Sequence, residues 1–303
     1  MNEYEYSNEI EQLEELQDIL MNISSSTIPN AVFFIKDHFS ISREKCRLLA
    51  KQLLLPVKFR SCSFSLISQL ILELLKSSTY DDYLYQLPNF LLSVISHEIS
   101  MDNIIPYQNS MQGFLYICYE HHIFTIDDIL IIFKDCYSQF SLFNESICSF
   151  FCWFAPEIEE ADQFLFFECL QACKFHLQYS ATSNSFKLIF DHFTEMRAND
   201  WKLFKEKRES TESDDPVYNA IRNDDVFLLQ QLTSNPQYDF NKLFDMSPFE
   251  PSWIMRFKPT GMQIAAFFGS IDCFKFFIVN KANPMKRAGC GGCFGGDFTN
   301  GDN

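Results

Sequence analysis

The placement of glycine limits this chain more than any other feature. Only Gly113 lies before residue 261, and every other glycine stands at or beyond that position. Phosphate-cradling loops and the tight turns of βαβ units rely on glycine for backbone conformations that other residues adopt only at a cost. The first 260 residues therefore lack the turn chemistry of those architectures, and a mainly helical region is what remains. At 303 residues the chain is long enough for about two domains. Its 34 phenylalanines must be buried, and Phe-rich helices in a stacked array would bury them.

Periodicity agrees with an all-α fold. Leu13, Leu16, Ile19, Leu20 and Ile23 recur at three- and four-residue steps, which predicts an amphipathic first helix ending near Ser24-Ser25-Ser26. Further helical signals cover about 28–39, 42–55, 63–76, 88–98, 110–122, 127–140, 145–153 and 156–179. Two joints look alike, Phe39-Ser40-Ile41-Ser42 and Phe124-Thr125-Ile126-Asp127. In each, a polar N-cap follows an Ile placed to staple onto the new helix, against Cys46 in one case and Ile131 in the other. Such joints point to divergent helical hairpins.

A polar connection around Ser183 leads into another helical face, Phe186, Ile189, Phe190, Phe193, Met196 and Trp201. The following run, 205–214, has almost nothing to bury and reads as a charged linker or a helix extension, which bounds an N-terminal helical domain at 1–204. The tail, 285–303, is too Gly-rich to pack and reads as disordered.

Between linker and tail, at 215–284, lie two related segments. The clearer is Thr260-Gly261-Met262-Gln263-Ile264-Ala265-Ala266-Phe267-Phe268-Gly269, continuing to Lys281-Ala282-Asn283-Pro284. The other is Asp215-Pro216-Val217-Tyr218-Asn219-Ala220-Ile221-Arg222-Asn223-Asp224, followed by Val226, Leu228, Leu229 and Leu232. Both resemble the ankyrin repeat, in which a capped first helix, small alanines and a left-handed glycine let one helix double back on the next. Ala220 and Ala265 align 45 residues apart, against an ankyrin period of ~33, so about 12 extra residues fall at about 246–259. Asp215, Pro216, Ala220, Thr260, Ala265, Ala266 and Gly269 carry the motif. Tyr218, Asp224, Gly261, Gln263 and Lys281 depart from it; in particular, the loss of Pro and His at 261 and 263 is expected to weaken the first turn. With Lys207-Arg208-Glu209 and Pro248-Phe249-Glu250, the pattern is similar to a large protist family of ankyrin-repeat proteins with an N-terminal helical region of unassigned function. The resemblance implies a short ankyrin solenoid, an adaptor or scaffold role through a protein partner, and no catalytic residues.

Charge narrows the partners. Twenty-four basic against forty acidic residues leave −16, and Glu3, Glu5, Glu9, Glu11, Glu14, Glu15 and Asp18 precede any Lys or Arg, so nucleic acid and anionic membrane are poor partners. The acidic start is unlike a signal peptide, and no apolar run approaches the ~18 residues a membrane span needs. Eleven irregularly spaced cysteines suggest reduced thiols in the cytoplasm.

Three groups of residues bear on chemistry. The insert places Phe249, Trp253, Met255 and Arg256, residue types enriched at interfaces, where ankyrin loops project toward ligands. The bland alternative folds Trp253 and Phe257 back over the short array. Cys148, Cys152, Cys169 and Cys173 pair at i,i+4, with His176 one turn further on. Core packing is the favoured reading of these thiols, with a thiol-based metal or redox site as the alternative. Cys290 and Cys293 lack a second ligand pair nearby, and His121-His122 reads as a helix end. No phosphate loop, G-x-S-x-G or H-E-x-x-H is present, so neither an enzyme nor a cofactor is expected.

Overall fold

The computed structural model describes residues 3–60, 63–79, 82–100, 108–139, 145–179, 190–210, 215–245, 247 and 249–284; the Gly-rich tail and the Ser183 connection lie outside them. Among the described residues the chain is all-helical, with fourteen α-helices and no strand beyond one isolated antiparallel bridge, Leu243 to Thr260. It divides into two compact units. Residues 1–211 with 248–253 form the first, and 212–247 with 254–303 form the second.

The first unit holds α1 (Glu3–Met21), α2 (Ile28–Phe39), α3 (Arg43–Phe59), α4 (Phe64–Lys76), α5 (Leu87–Ser100), α6 (Gln108–Glu120), α7 (Ile126–Gln139), α8 (Glu145–Ala161), α9 (Gln163–Tyr179) and α10 (Phe193–Ser210). Its packing alternates. The odd helices α1, α3, α5 and α7 touch in series, and so do the even helices α2, α4, α6 and α8, while α1–α2, α3–α4, α5–α6 and α7–α8 pair across. The result is a two-layer stack of helical hairpins, as the repeated joints suggested. Each layer buries one apolar face: Ile35, Leu49, Leu53, Ile67, Leu74, Leu91 and Ile95 are sealed from solvent.

The joints themselves form differently from the expectation. Ser42 does cap α3, accepting from Lys45 N, but Ile41 is exposed and staples nothing. At the other joint Thr125 is the cap: its hydroxyl accepts from Asp128 N at 3.3 Å while the Asp128 carboxylate accepts from Thr125 N at 2.8 Å, and Ile131 faces solvent. A single side-chain cap at Ser42 and a reciprocal pair at Thr125 and Asp128 start these helices without an apolar staple.

The proline breaks also differ. α3 runs through Pro56 to Phe59 instead of stopping at 55, and α8 continues past Trp153, bending at Phe154 (φ −127°, ψ 17°) ahead of Pro156. A proline removes one hydrogen bond and bends a helix, and here the buried neighbours hold the two halves together. The break comes instead at Asp162, whose carboxylate accepts from Leu165 N and starts α9. In contrast, α10 is interrupted: Asn199, Asp200 and Trp201 sit at φ 54°, 56° and 62°. Left-handed backbone costs a non-glycine residue roughly 1–2 kcal/mol, so three in succession need strong anchoring. Trp201 supplies it, buried against Phe166, Phe193 and Phe204 with its indole N–H donated to Glu159 at 2.8 Å.

Residues 249–253 complete the first unit's core. Phe249 packs edge-on against Trp153 and Phe204, and the Ser110 hydroxyl donates to the Pro251 carbonyl at 2.6 Å. Gly113 makes room at this point, because a Cβ there would lie 3.1–3.3 Å from Pro251, Phe64 and Trp153, tighter than ordinary contact.

The second unit contains α11 (Pro216–Arg222), α12 (Val226–Leu232), α13 (Gly261–Phe268) and α14 (Ile271–Val279). They form two helix pairs, with α11 against α13 and α12 against α14. Asp215 caps α11, Asp225 caps α12, and Thr260 forms a reciprocal capping box with Gln263. The expected weakness of the first turn of α13 is therefore corrected: Gln263 supplies the return hydrogen bond. Gly261 fits for a further reason, since a Cβ would stand 2.4 Å from the Phe277 ring. Gly269 turns left-handed at φ 72°, as the motif requires, and Asp224 (φ 54°) and Lys281 (φ 57°) adopt the same conformation without being glycine.

Candidate interaction sites

The four insert residues separate. Phe249 and Met255 are buried, at 3% and 1% exposure, so both leave the surface on which the sequence placed them. The physical reason is their apolar bulk: a phenylalanine that can reach an aromatic core gains more there than in water. Trp253 begins a short 3₁₀ segment (Trp253–Phe257) and is half-buried, whereas Phe257 is exposed. The side chain of Arg256 lies outside the described residues.

Of the motif residues, Ala220, Thr260 and Ala265 are buried, while Ala266 and Gly269 are exposed. Asp224 has a role that the sequence did not show. Its carboxylate accepts from the backbone N–H groups of Cys273 at 2.9 Å and Asp272 at 3.1 Å, capping α14 in the neighbouring helix pair. These backbone hydrogen bonds, Cys273 first, hold its pKa below the usual carboxylate range. Apolar side chains face outward on the two adjacent second helices: Phe227 and Leu228 on α12, and Ile271, Ile278 and Val279 on α14.

The thiols Cys148, Cys152, Cys169 and Cys173 are all buried between α8 and α9, with Phe150, Phe151 and Phe166 alongside. Burial pushes Cys169 up to about 12 and Cys152 and Cys173 well above the ordinary thiol value, the last also through a hydrogen bond with Cys148. Burial thus favours the protonated thiol at these three, whereas nucleophilic attack requires the thiolate. Among the described residues no group of three or more His, Cys, Asp or Glu is arranged to hold a metal. The side chain of His176, and Cys290 and Cys293, lie outside them.

A site that the sequence reading missed lies in the first unit. A polar cleft of about 590 Å³ opens between the end of α6 (Tyr116, Tyr119, Glu120), the second half of α8 (Pro156, Glu157, Glu159, Glu160) and the interrupted α10 (Asp200, Trp201, Lys205, Arg208, Glu209), with Gln163 of α9. Arg208 was counted in a run with almost nothing to bury, and this is corrected: it is 2% exposed. Its guanidinium makes two 2.8 Å bonds to the Glu157 carboxylate and one of 2.7 Å to the Trp153 carbonyl, and lies 4.1 Å from the Tyr116 ring centre. Burial works against the charge, but the Glu157 hydrogen bonds and charge outweigh it and leave the arginine pKa raised. Burial, opposed by Arg208 and reinforced by Glu120 and Glu157, raises the Tyr116 pKa, so that residue remains a neutral hydroxyl. A signal was present in the sequence: Trp201, Phe204 and Arg208 stand at i, i+3 and i+7, one face of a helix.

Compared with protein-family models, with curated proteins and with solved structures, the chain matches none of them.

Proposed function

We propose that the protein is a non-enzymatic interaction scaffold whose second unit works as a short ankyrin-type pair of repeats, acting in the cytoplasm on a protein partner. The observation that carries this reading is the doubled geometry at a 45-residue offset. Asp215 and Thr260 cap the first helices, Ala220 and Ala265 are buried at equivalent places, and Asp224 and Gly269 make the left-handed turn. Asp224 takes the place of the usual glycine and uses its carboxylate to tie one pair to the next. Phe227 and Val279, each 77% exposed, offer apolar contact area on neighbouring helices. The burial of Phe249 and Met255 moves the proposed contact surface toward these residues. The thiol alternative has against it the burial of all four cysteines among Phe150, Phe151 and Phe166, which suits core packing.

The test is quantitative capture from the source cell with the intact chain and with a Phe227→Ser, Val279→Ser double variant. A stoichiometric protein retained by the first and lost by the second, at an unchanged melting temperature, supports the scaffold. Equal retention, or none by either, sinks it.

A further inference from the structure

We propose that the groove between α3 and α5 binds a phosphorylated segment of a protein partner, with Arg43 and Arg47 holding the phosphate of one phosphoserine. All residues involved lie in the first unit, so the inference goes beyond the scaffold reading of the second unit and stands or falls separately from it.

A groove of about 540 Å³ opens between these two neighbouring helices, lined by Arg43, Glu44 and Arg47 of α3 and by Asn89, Phe90 and Ser93 of α5. Arg43 and Arg47 stand four residues apart, which puts their side chains on one face of α3, and Asn89 and Ser93 repeat that spacing on α5. Both arginines are exposed, and among the described residues neither forms an ion pair or donates a hydrogen bond. Glu44, the groove's one carboxylate, pairs with neither of them. Elsewhere Lys58 and Arg208 are each taken up by a glutamate, Glu98 and Glu157. In a chain with forty acidic against twenty-four basic residues, two neighbouring arginines left without a carboxylate leave room for an anion from outside. Arg43 is also steadied, because its guanidinium lies 5.9 Å from the Phe90 ring centre. A side chain held against a ring has less freedom to lose when a ligand arrives.

The donor set selects the ligand. Two guanidinium forks, the Asn89 amide and the Ser93 hydroxyl offer more donors than the two oxygens of a carboxylate accept, and they match the three terminal oxygens and nearly double charge of a phosphate monoester. Glu44 in the groove and the net charge of −16 act against long polyanions, so the site suits a single dianion rather than a nucleic acid or an anionic membrane. At physiological salt the screening length is about 8 Å, which mutes the remote acids while the arginines act at contact. The volume takes one phosphorylated side chain with the backbone on either side of it.

The test measures fluorescence anisotropy of a labelled peptide pool, degenerate except for a central phosphoserine, titrated with the full-length chain beside matched pools that carry serine or glutamate at that place. The phosphoserine pool is expected to bind about tenfold more tightly than either. An Arg43→Gln, Arg47→Gln double variant should bind it about tenfold more weakly at an unchanged melting temperature, since both side chains are exposed and unpaired. Ser93→Ala, on the facing helix, should weaken binding about threefold. Lys76→Gln, Lys275→Gln, which removes two exposed charges away from the groove, should bind as the parent does. Phosphatidylserine vesicles should not retain the chain. Failure of the parent to bind the phosphoserine pool, equal binding of the glutamate pool, retention on the vesicles, or an unchanged affinity in either groove variant would overturn the site. So would equal weakening by the Lys76, Lys275 variant, which would reduce the effect to the net charge of the chain.

Discussion

In the first unit the helices run 12–19 residues and bury whole apolar faces, whereas in the second they run 7–9 residues and almost every helix start carries a side-chain cap. Isolated helices below about 12–15 residues are marginal in water. The short helices of the second unit therefore depend on caps at Asp215, Asp225 and Thr260 and on the Asp224 carboxylate that links one pair to the other. The first unit depends on depth. Its aromatic chain from Phe151 through Phe166 and Trp201 to Phe204 and Phe249 is buried, and one ion pair is sealed beside it. The contrast is between stability from buried volume and stability from satisfied backbone ends, and each makes the unit vulnerable to a different substitution.

The largest effect belongs to the first unit. Arg208→Met leaves Glu157 buried without its cation, and chemical denaturation should show a loss of about 3–5 kcal/mol. Adding Glu157→Leu should recover most of that loss, because a buried pair replaced by apolar groups of similar volume is often nearly neutral. If the single variant is as stable as the parent, the ion pair is not part of what holds this unit together.

Next in size is Gly261→Pro, the change that ankyrin consensus would favour. The new Cβ would meet the buried Phe277 ring at 2.4 Å and Ile221 at 3.1 Å, so the expected outcome is a loss of about 1–3 kcal/mol. A melting temperature raised by this substitution would show that the second unit follows the consensus rather than its own packing.

The smallest effect sharpens the role of the caps. Asp224→Asn keeps a capping acceptor but removes the negative charge at the start of α14, and should cost about 0.3–1 kcal/mol at neutral pH. Because the folded-state pKa of Asp224 is depressed, its contribution is fully present above the unfolded value of about 3.9 and is lost as pH falls through the folded value. The stability gap between parent and Asp224→Asn should therefore close under acid. Asp162, depressed by the Leu165 backbone hydrogen bond and by Lys134, adds an acid-sensitive cap to the first unit in the same direction. A gap that stays constant from pH 7 to below pH 4 would assign the effect to packing instead of charge.

Much of the helical fold could be read from the sequence. The scarcity of glycine, the three- and four-residue apolar steps and the similar joints at Ser42 and Thr125 pointed to an all-α stack of hairpins, and local backbone chemistry settles those features. Proline positions were misleading as boundaries, since whether Pro56 or Pro156 ends a helix depends on what packs around the bend. Function was less legible. Phe249 and Met255 look the same on a sequence whether they face a partner or a core, and only three-dimensional packing placed them inside. Glu120, Glu160, Asp200 and Glu209 are spread over 90 residues, and their meeting around one cleft is a property of how α6, α8 and α10 pack. The sequence by itself determined periodicity, capping and net charge, because these act over one or two helical turns. Which carboxylates gather at one cleft, and where Arg208 is buried, depended on contacts between residues far apart in the chain, and only the tertiary structure decided them.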